Sequence, residues 1–175
     1  MKGIIFKVLE STVLEQFGEH TWDQILGEAA VPGVYTSIGN YEDAELLSII
    51  NALPPTAGQD QSERLRWFGQ KAIPALQQSF PHFFEGHNLR SILPTLNHAI
   101  HPEVRKLYPG ANPPVFELEE GNSTTLTYRS ERGLCHLAEG FILGSANLLR
   151  ETISINQTQC MHRGDEQCDI VIDWE

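Results

Sequence analysis

The hydrophobic period of this chain first changes at Pro113-Pro114, from the roughly 3.6-residue spacing of helix faces to the two-residue alternation of strands. Before that point, Ile4, Ile5, Val8, Leu9, Val13, Leu14 and Phe17 trace one helical face that Gly18 ends. Thr21 is expected to cap a second helix through Ala30, and Val31-Pro32-Gly33 turns the chain. Tyr41 to Leu53 reads as a third helix, stopped by Pro54-Pro55. Ser62 opens a fourth, running to about Leu76 with a kink expected at Pro74. The aromatic run from Phe80 to Gly86 reads as an ordered loop, and Leu89 to Leu107 as one more apolar helical face. After Pro114, Val115–Glu119 and Thr124–Tyr128 alternate as two strands about a turn at Gly121-Asn122. Leu134 to Arg150 reverts to helix, with Gly140 and Gly144 allowing close packing, and Thr152–Thr158 and Asp169–Trp174 close the chain as strands. The expected class is therefore α+β, one functional unit of 175 residues.

Charge and cysteine usage narrow the function classes. Twelve basic against 23 acidic residues leave a net charge of -11, with no Lys/Arg cluster. That balance argues against nucleic-acid binding by counterion release and against anionic membrane surfaces. The apolar stretch behind Lys2 is too short for a signal peptide, and no window approaches a membrane span. Three cysteines suit neither a disulfide framework nor full pairing, so a reducing cytoplasm is the expected location. There is no nucleophile elbow, phosphate-cradling glycine loop or zinc-hydrolase motif, and the chain is not expected to be an enzyme.

Two constellations carry chemistry. His101 sits on an otherwise apolar helix, and Pro102 after it is expected to push it away from ordinary helical dihedrals. An imidazole in apolar surroundings is a potential iron ligand. In Tyr128-x-Ser130-x-Arg132 a two-residue period places all three side chains on one face if the strand continues that far, and such a face can grip carboxylates. The bland alternatives are a core histidine and a solvated strand edge. Cys135, Cys160, His162 and Cys168 form a possible zinc site, against the alternative of three inert buried thiols.

Taken together, the Met1–Phe6 start, His101 in its His-Pro-Glu-Val-Arg-Lys-Leu-Tyr run, Pro113-Pro114 and the Tyr128-x-Ser130-x-Arg132 motif resemble the haem-nitric-oxide/oxygen-binding (H-NOX) domains over essentially the whole chain. The resemblance implies an N-terminal helical subdomain of about residues 1–60 packed on a subdomain of about 61–175 that carries a four-stranded antiparallel sheet. Haem b, iron protoporphyrin IX, would lie buried between them. His101 is then the proximal iron ligand, Tyr128, Ser130 and Arg132 bind the propionates, and Pro114 and Ile5 pack against the porphyrin and distort it.

Members that hold dioxygen carry a distal tyrosine nine positions after the motif tyrosine, where this chain has Leu137. Ala72 and Leu76 offer no donor either, so the expected function is sensing of nitric oxide, with carbon monoxide also bound and dioxygen excluded. Signalling would run through release of His101 to a separate protein, a histidine kinase or a diguanylate cyclase/phosphodiesterase. Some members also bind zinc through three cysteines and a histidine; Cys135, Cys160 and Cys168 match, but the histidine position holds Gln157, with His162 as a substitute. A haem-free small-molecule-binding regulatory module of the vinyl-reductase-like type is the alternative, because Cys160-x-x-x-Gly164-Asp165-x-x-Cys168 resembles its ending.

Overall fold

The computed structural model describes residues Met1–Glu175. Seven α-helices and four strands follow the order α1 (Gly3–Phe17), α2 (Glu19–Ala29), α3 (Asp43–Asn51), α4 (Gln61–Ser79), α5 (Leu89–Thr95), α6 (His101–Leu107), β1 (Val115–Glu120), β2 (Ser123–Arg129), α7 (Cys135–Leu149), β3 (Ile153–Gln159) and β4 (Cys168–Trp174). The sheet order is β1-β2-β4-β3, and all pairs are antiparallel. The α+β class holds.

Two hydrophobic clusters organise the molecule. One gathers Phe6, Leu9 and Val13 of α1 with Leu46, Ile49 and Ile50 of α3, and draws in Leu65 and Phe68 of α4 and Leu137 of α7. The other joins the inner sheet face, Leu126, Tyr128, Ile170 and Ile172, to Ala138, Ile142 and Ala146 of α7 and to Leu89 and Leu93 of α5. Helix α7 serves both clusters, which is why it is apolar around most of its girth.

Helix α7 meets α4 backbone to backbone. A Cβ built on Gly140 would lie 2.3 Å from the Arg66 carbonyl oxygen, and one on Gly69 would lie 2.7 Å from the Leu137 carbonyl oxygen. Only glycine permits that approach. Both helices line the cavity described below, so this contact sets the spacing of two of its walls.

Several boundaries differ from those the sequence suggests. Helix α2 begins at Glu19 on Gly18, whose φ is +84°, and Thr21 Oγ1 donates to the Phe17 carbonyl instead of capping. Helix α4 is capped by Asp60, whose Oδ1 accepts from Glu63 N at 2.9 Å, and it runs through Pro74 to Ser79. The stretch Leu89–Leu107 is not one helix. Leu96–Ile100 forms a π-helical turn between α5 and α6, and the His101 amide donates to the Leu96 carbonyl, five residues back.

Candidate functional site

The π turn determines how His101 is presented. Pro94 and Pro102 each lack an amide and would crowd a carbonyl four residues back in a regular helix. Widening the turn before Pro102 gives its ring room at the His98 carbonyl, and Pro102 sits in the first turn of α6, where a missing amide costs little. Contrary to expectation, His101 keeps helical dihedrals, with φ −66° and ψ −38°. Asn97 in the same turn fixes it to the sheet edge, donating to the Phe116 carbonyl and accepting from the Phe116 amide.

His101 faces a cavity of about 490 Å³, within the roughly 300–1,000 Å³ typical of cofactor sites. The wall is mainly hydrocarbon and aromatic, with Ile5 from α1, Leu76 from α4, Leu137 from α7, and Pro114 all lining it. Ala72 belongs to the first hydrophobic cluster instead. The His101 ring is 5.6 Å from Phe116, which lies 5.8 Å from Tyr128, so an aromatic row leads from the histidine to the motif.

Burial, with the Arg105 charge adding to it and the Pro114 carbonyl opposing both, lowers the His101 pKa to about 4. The ring is thus neutral, the form that ligates metal. Its buried Nδ1 has no hydrogen bond of good geometry, so a polar atom stands unsatisfied beside an apolar space large enough for a cofactor.

The carboxylate-binding motif is built differently from the single strand face that its period suggests. Strand β2 stops at Arg129, leaving Ser130 and Arg132 in the turn before α7. The turn nevertheless draws the three together. Tyr128 Oη accepts from the Leu134 amide at 2.9 Å and pairs with the Ser130 side chain, whose Oγ accepts from the Arg132 amide at 3.3 Å. Tyr128 and Arg132 line the cavity, whereas Ser130 lies outside its lining.

Arg132 also holds Asp43 of α3 in a two-pronged pair, Nε to Oδ2 at 2.6 Å and Nη2 to Oδ1 at 2.7 Å. The Met1 amine lies 2.7 Å from the same carboxylate. Burial would raise the Asp43 pKa, but the two cationic partners together prevail and lower it. Nearby, buried Lys2 donates to Asn40 Oδ1 at 2.8 Å and to the carbonyls of Ile38 and Pro109, both at 3.1 Å. Its three donors are matched by three acceptors. Sequence reading missed Asp43 and Lys2 because their partners are distant in the chain and no motif marks them.

The three thiols converge: Cys160 Sγ is 3.9 Å from both Cys135 Sγ and Cys168 Sγ, and all three are buried and free. Burial pushes the Cys135 and Cys168 thiols up. Gln157 reaches Cys135, with its Nε2 buried and unpaired. His162 does not join this trio as a fourth donor. It is exposed on the 3-10 turn Met161–Arg163, bonded through Nε2 to the Gly133 carbonyl at 2.7 Å, and it clusters instead with Cys135 and His136.

A neutral imidazole facing a cofactor-sized apolar cavity, on this α+β frame, defines a haem-binding gas-sensor domain. The chain belongs to the haem-NO-binding family, whose sequence model matches residues 2–157. It is similar to an H-NOX protein from S. oneidensis solved in the Fe(II)NO ligation state, at 31% identity and TM-score 0.91, covering 100% of this chain and 99% of that one. The Shewanella oneidensis H-NOX domain in the Fe(II)CO state also matches, at 31% identity and TM-score 0.87 over 100% and 99%. So does the Fe(II) unliganded H-NOX protein from K. algicida, at 28% identity and TM-score 0.85 over 100% and 97%.

Proposed function

We propose that this chain is a sensor of nitric oxide that carries a b-type haem, also takes carbon monoxide, excludes dioxygen, and signals to a separate protein. When bound, a haem would supply ferrous iron as the gas-binding centre, with His101 as the residue that would hold it from the protein side. The observation that carries the reading is the half-buried neutral imidazole of His101 facing a wall made of Ile5, Leu76 and Leu137. A bound polar dioxygen gains from a hydrogen bond, and that wall offers none. The one hydroxyl on α7 that reaches the cavity, Ser145, is eight residues from Leu137, about 12 Å along the helix.

His101 would hold the iron, Tyr128 and Arg132 would bind the propionates with Ser130 steadying the turn, and Pro114 would pack against the porphyrin. The element that carries His101 is built to move, since neither the π turn nor α6 contains a fully buried residue. Its far end is tied to the N-terminal helices by Lys2 on the Pro109 carbonyl, and the motif turn is tied to α3 by Arg132 on Asp43. Release of His101 would shift α6 relative to residues of about 1–60, and a partner that binds the two arrangements unequally would read the change. A histidine kinase or a diguanylate cyclase/phosphodiesterase is the partner class, as the family resemblance implies.

The test is His101→Gly. The variant should lose stable haem and regain it with free imidazole, which should then carry carbon monoxide with the chain still folded. Haem retained by His101→Gly without imidazole contradicts the assignment. A wild type that stays colourless with haemin would favour the haem-free module.

A further inference from the structure

The sheet has two outer strands, β1 and β3, and the chain treats their edges differently. Strand β3 carries a register shift between Gln157 and Gln159, an irregularity that spoils it as a template for another strand. Strand β1 pairs with β2 without interruption from Val115 to Glu120. Its outer edge is covered at one point, by Asn97. That side-chain amide accepts from the Phe116 amide at 3.2 Å and donates to the Phe116 carbonyl, as a neighbouring strand would. We propose that the rest of this edge is a docking strip for an extended, basic segment of a separate protein, which joins the sheet as a fifth strand beside β1.

Along an antiparallel strand the N–H and C=O of one residue point to the same side, and the side alternates with the next residue. Asn97 meets Phe116 from outside the sheet, so Leu118 and Glu120 also turn their main chain outward. No hydrogen bond from outside the sheet reaches either one. Phe116, Leu118 and Glu120 line a groove of about 470 Å³ that Pro94, Asn97 and His98 complete. Charge selects the occupant. Glu117, Glu119 and Glu120 are exposed, and of the three only Glu117 has a cationic partner, Arg129. The two uncompensated carboxylates repel the same edge of a second copy and favour lysine or arginine on an added strand.

The strip is also placed to report the state of His101, a coupling that rests on the proposed function. Asn97 lies in the π turn that His101 ends. With that turn seated, the edge offers the main chain of Leu118 and Glu120 alone, which is short for a strand. Release of His101 that draws the turn off the sheet takes Asn97 with it, and Phe116 joins the open edge. An added strand then gains the two main-chain bonds that Asn97 otherwise holds. The segment therefore binds tighter once His101 is released, and by linkage its binding favours that release.

Fluorescence anisotropy of a labelled peptide of alternating lysine and valine, added to the haem-loaded protein, tests the proposal. The peptide should bind the nitric-oxide-loaded form about tenfold or more tighter than the reduced, gas-free form. Asn97→Ala should bring the gas-free form to the tighter value, and Asn97→Asp, which accepts but cannot donate, should fall between. Glu120→Pro deletes an outward donor at a position where an edge strand tolerates proline, and it should weaken binding more than Glu120→Gln does. The same peptide with its backbone amides methylated should not bind, and an unaltered haem spectrum verifies folding of every variant. Equal binding of the methylated peptide, an Asn97→Ala affinity equal to wild type, or self-association of Asn97→Ala in place of peptide binding would overturn the proposal. So would an affinity indifferent to nitric oxide in a sample whose spectrum shows His101 released. A spectrum that keeps His101 bound refutes the sensing reading instead, and the gas-free Asn97→Ala comparison still decides the edge.

Discussion

Gly140→Ala probes the contact that spaces two walls of the proposed haem cavity. The new methyl would stand 2.3 Å from the Arg66 carbonyl oxygen and 2.9 Å from the Cα atoms of Arg66 and Gly69. Comfortable separations start near 3.5 Å, so α4 and α7 must part by about 1 Å. Overpacking of this kind costs about 1–3 kcal/mol. At roughly 2–4 °C per kcal/mol for a chain of this size, the melting temperature should fall by about 2–12 °C. Gly27→Ala is the matched control, because a Cβ there meets nothing within 4 Å and alanine suits a helix better. It should raise stability by about 0.5–1 kcal/mol. The assay is thermal unfolding of haem-loaded protein by circular dichroism, with haem transfer to a scavenger measured in parallel. Gly140→Ala should also lose haem faster, since Ile73 and Leu76 on α4 move away from Phe141 and Ile142 on α7. A Gly140→Ala protein that melts with the wild type, or above it, would refute the close-contact argument.

Leu137→Tyr places a hydroxyl in the hydrocarbon wall, and one hydrogen bond of about 1.5 kcal/mol should slow dioxygen release roughly tenfold; flash-photolysis rates equal to wild type would count against it. Asp43→Asn removes the partner of Arg132 and of the Met1 amine. Because the Asp43 pKa is lowered on folding, its contribution is complete above the unfolded value of about 3.9 and fades as pH falls through the folded value. The stability gap between wild type and Asp43→Asn should therefore be widest at neutral pH and narrow progressively as pH falls below about 3.9; a gap that stays constant on acidification would contradict the pairing.

Local pattern made most of the frame legible. The change of period at Pro113-Pro114, the hairpin about Gly121-Asn122, and the glycines of α7 all reflect short-range chemistry that survives in the fold. The break between α5 and α6 was hidden because the apolar face from Leu89 to Leu107 runs on in register, while Pro102 calls for a wider turn before it that periodicity does not register. Thr21 looked like a cap because the positive φ of Gly18, the residue directly before α2, leaves no compositional mark beyond the glycine itself. At the site, His101, Tyr128 and Arg132 were legible as residue types in a pattern. Their surroundings were not: Arg132 meets Asp43, Lys2 meets Pro109, and Arg66 meets Glu139 across chain separations that no local rule spans. His162 shows the same limit, since its position near Cys160 suggested the thiol trio while its 3-10 turn carries it to His136.

The central claim is an imidazole latch facing a wall without hydrogen-bond donors, and one series of absorption spectra on a single reduced sample tests it. In air the ferrous haem should remain unoxygenated and bound to His101, and nitric oxide should then give a five-coordinate complex that has lost the histidine. A stable oxygenated spectrum in air, or a nitric oxide complex that keeps His101 bound, would contradict it.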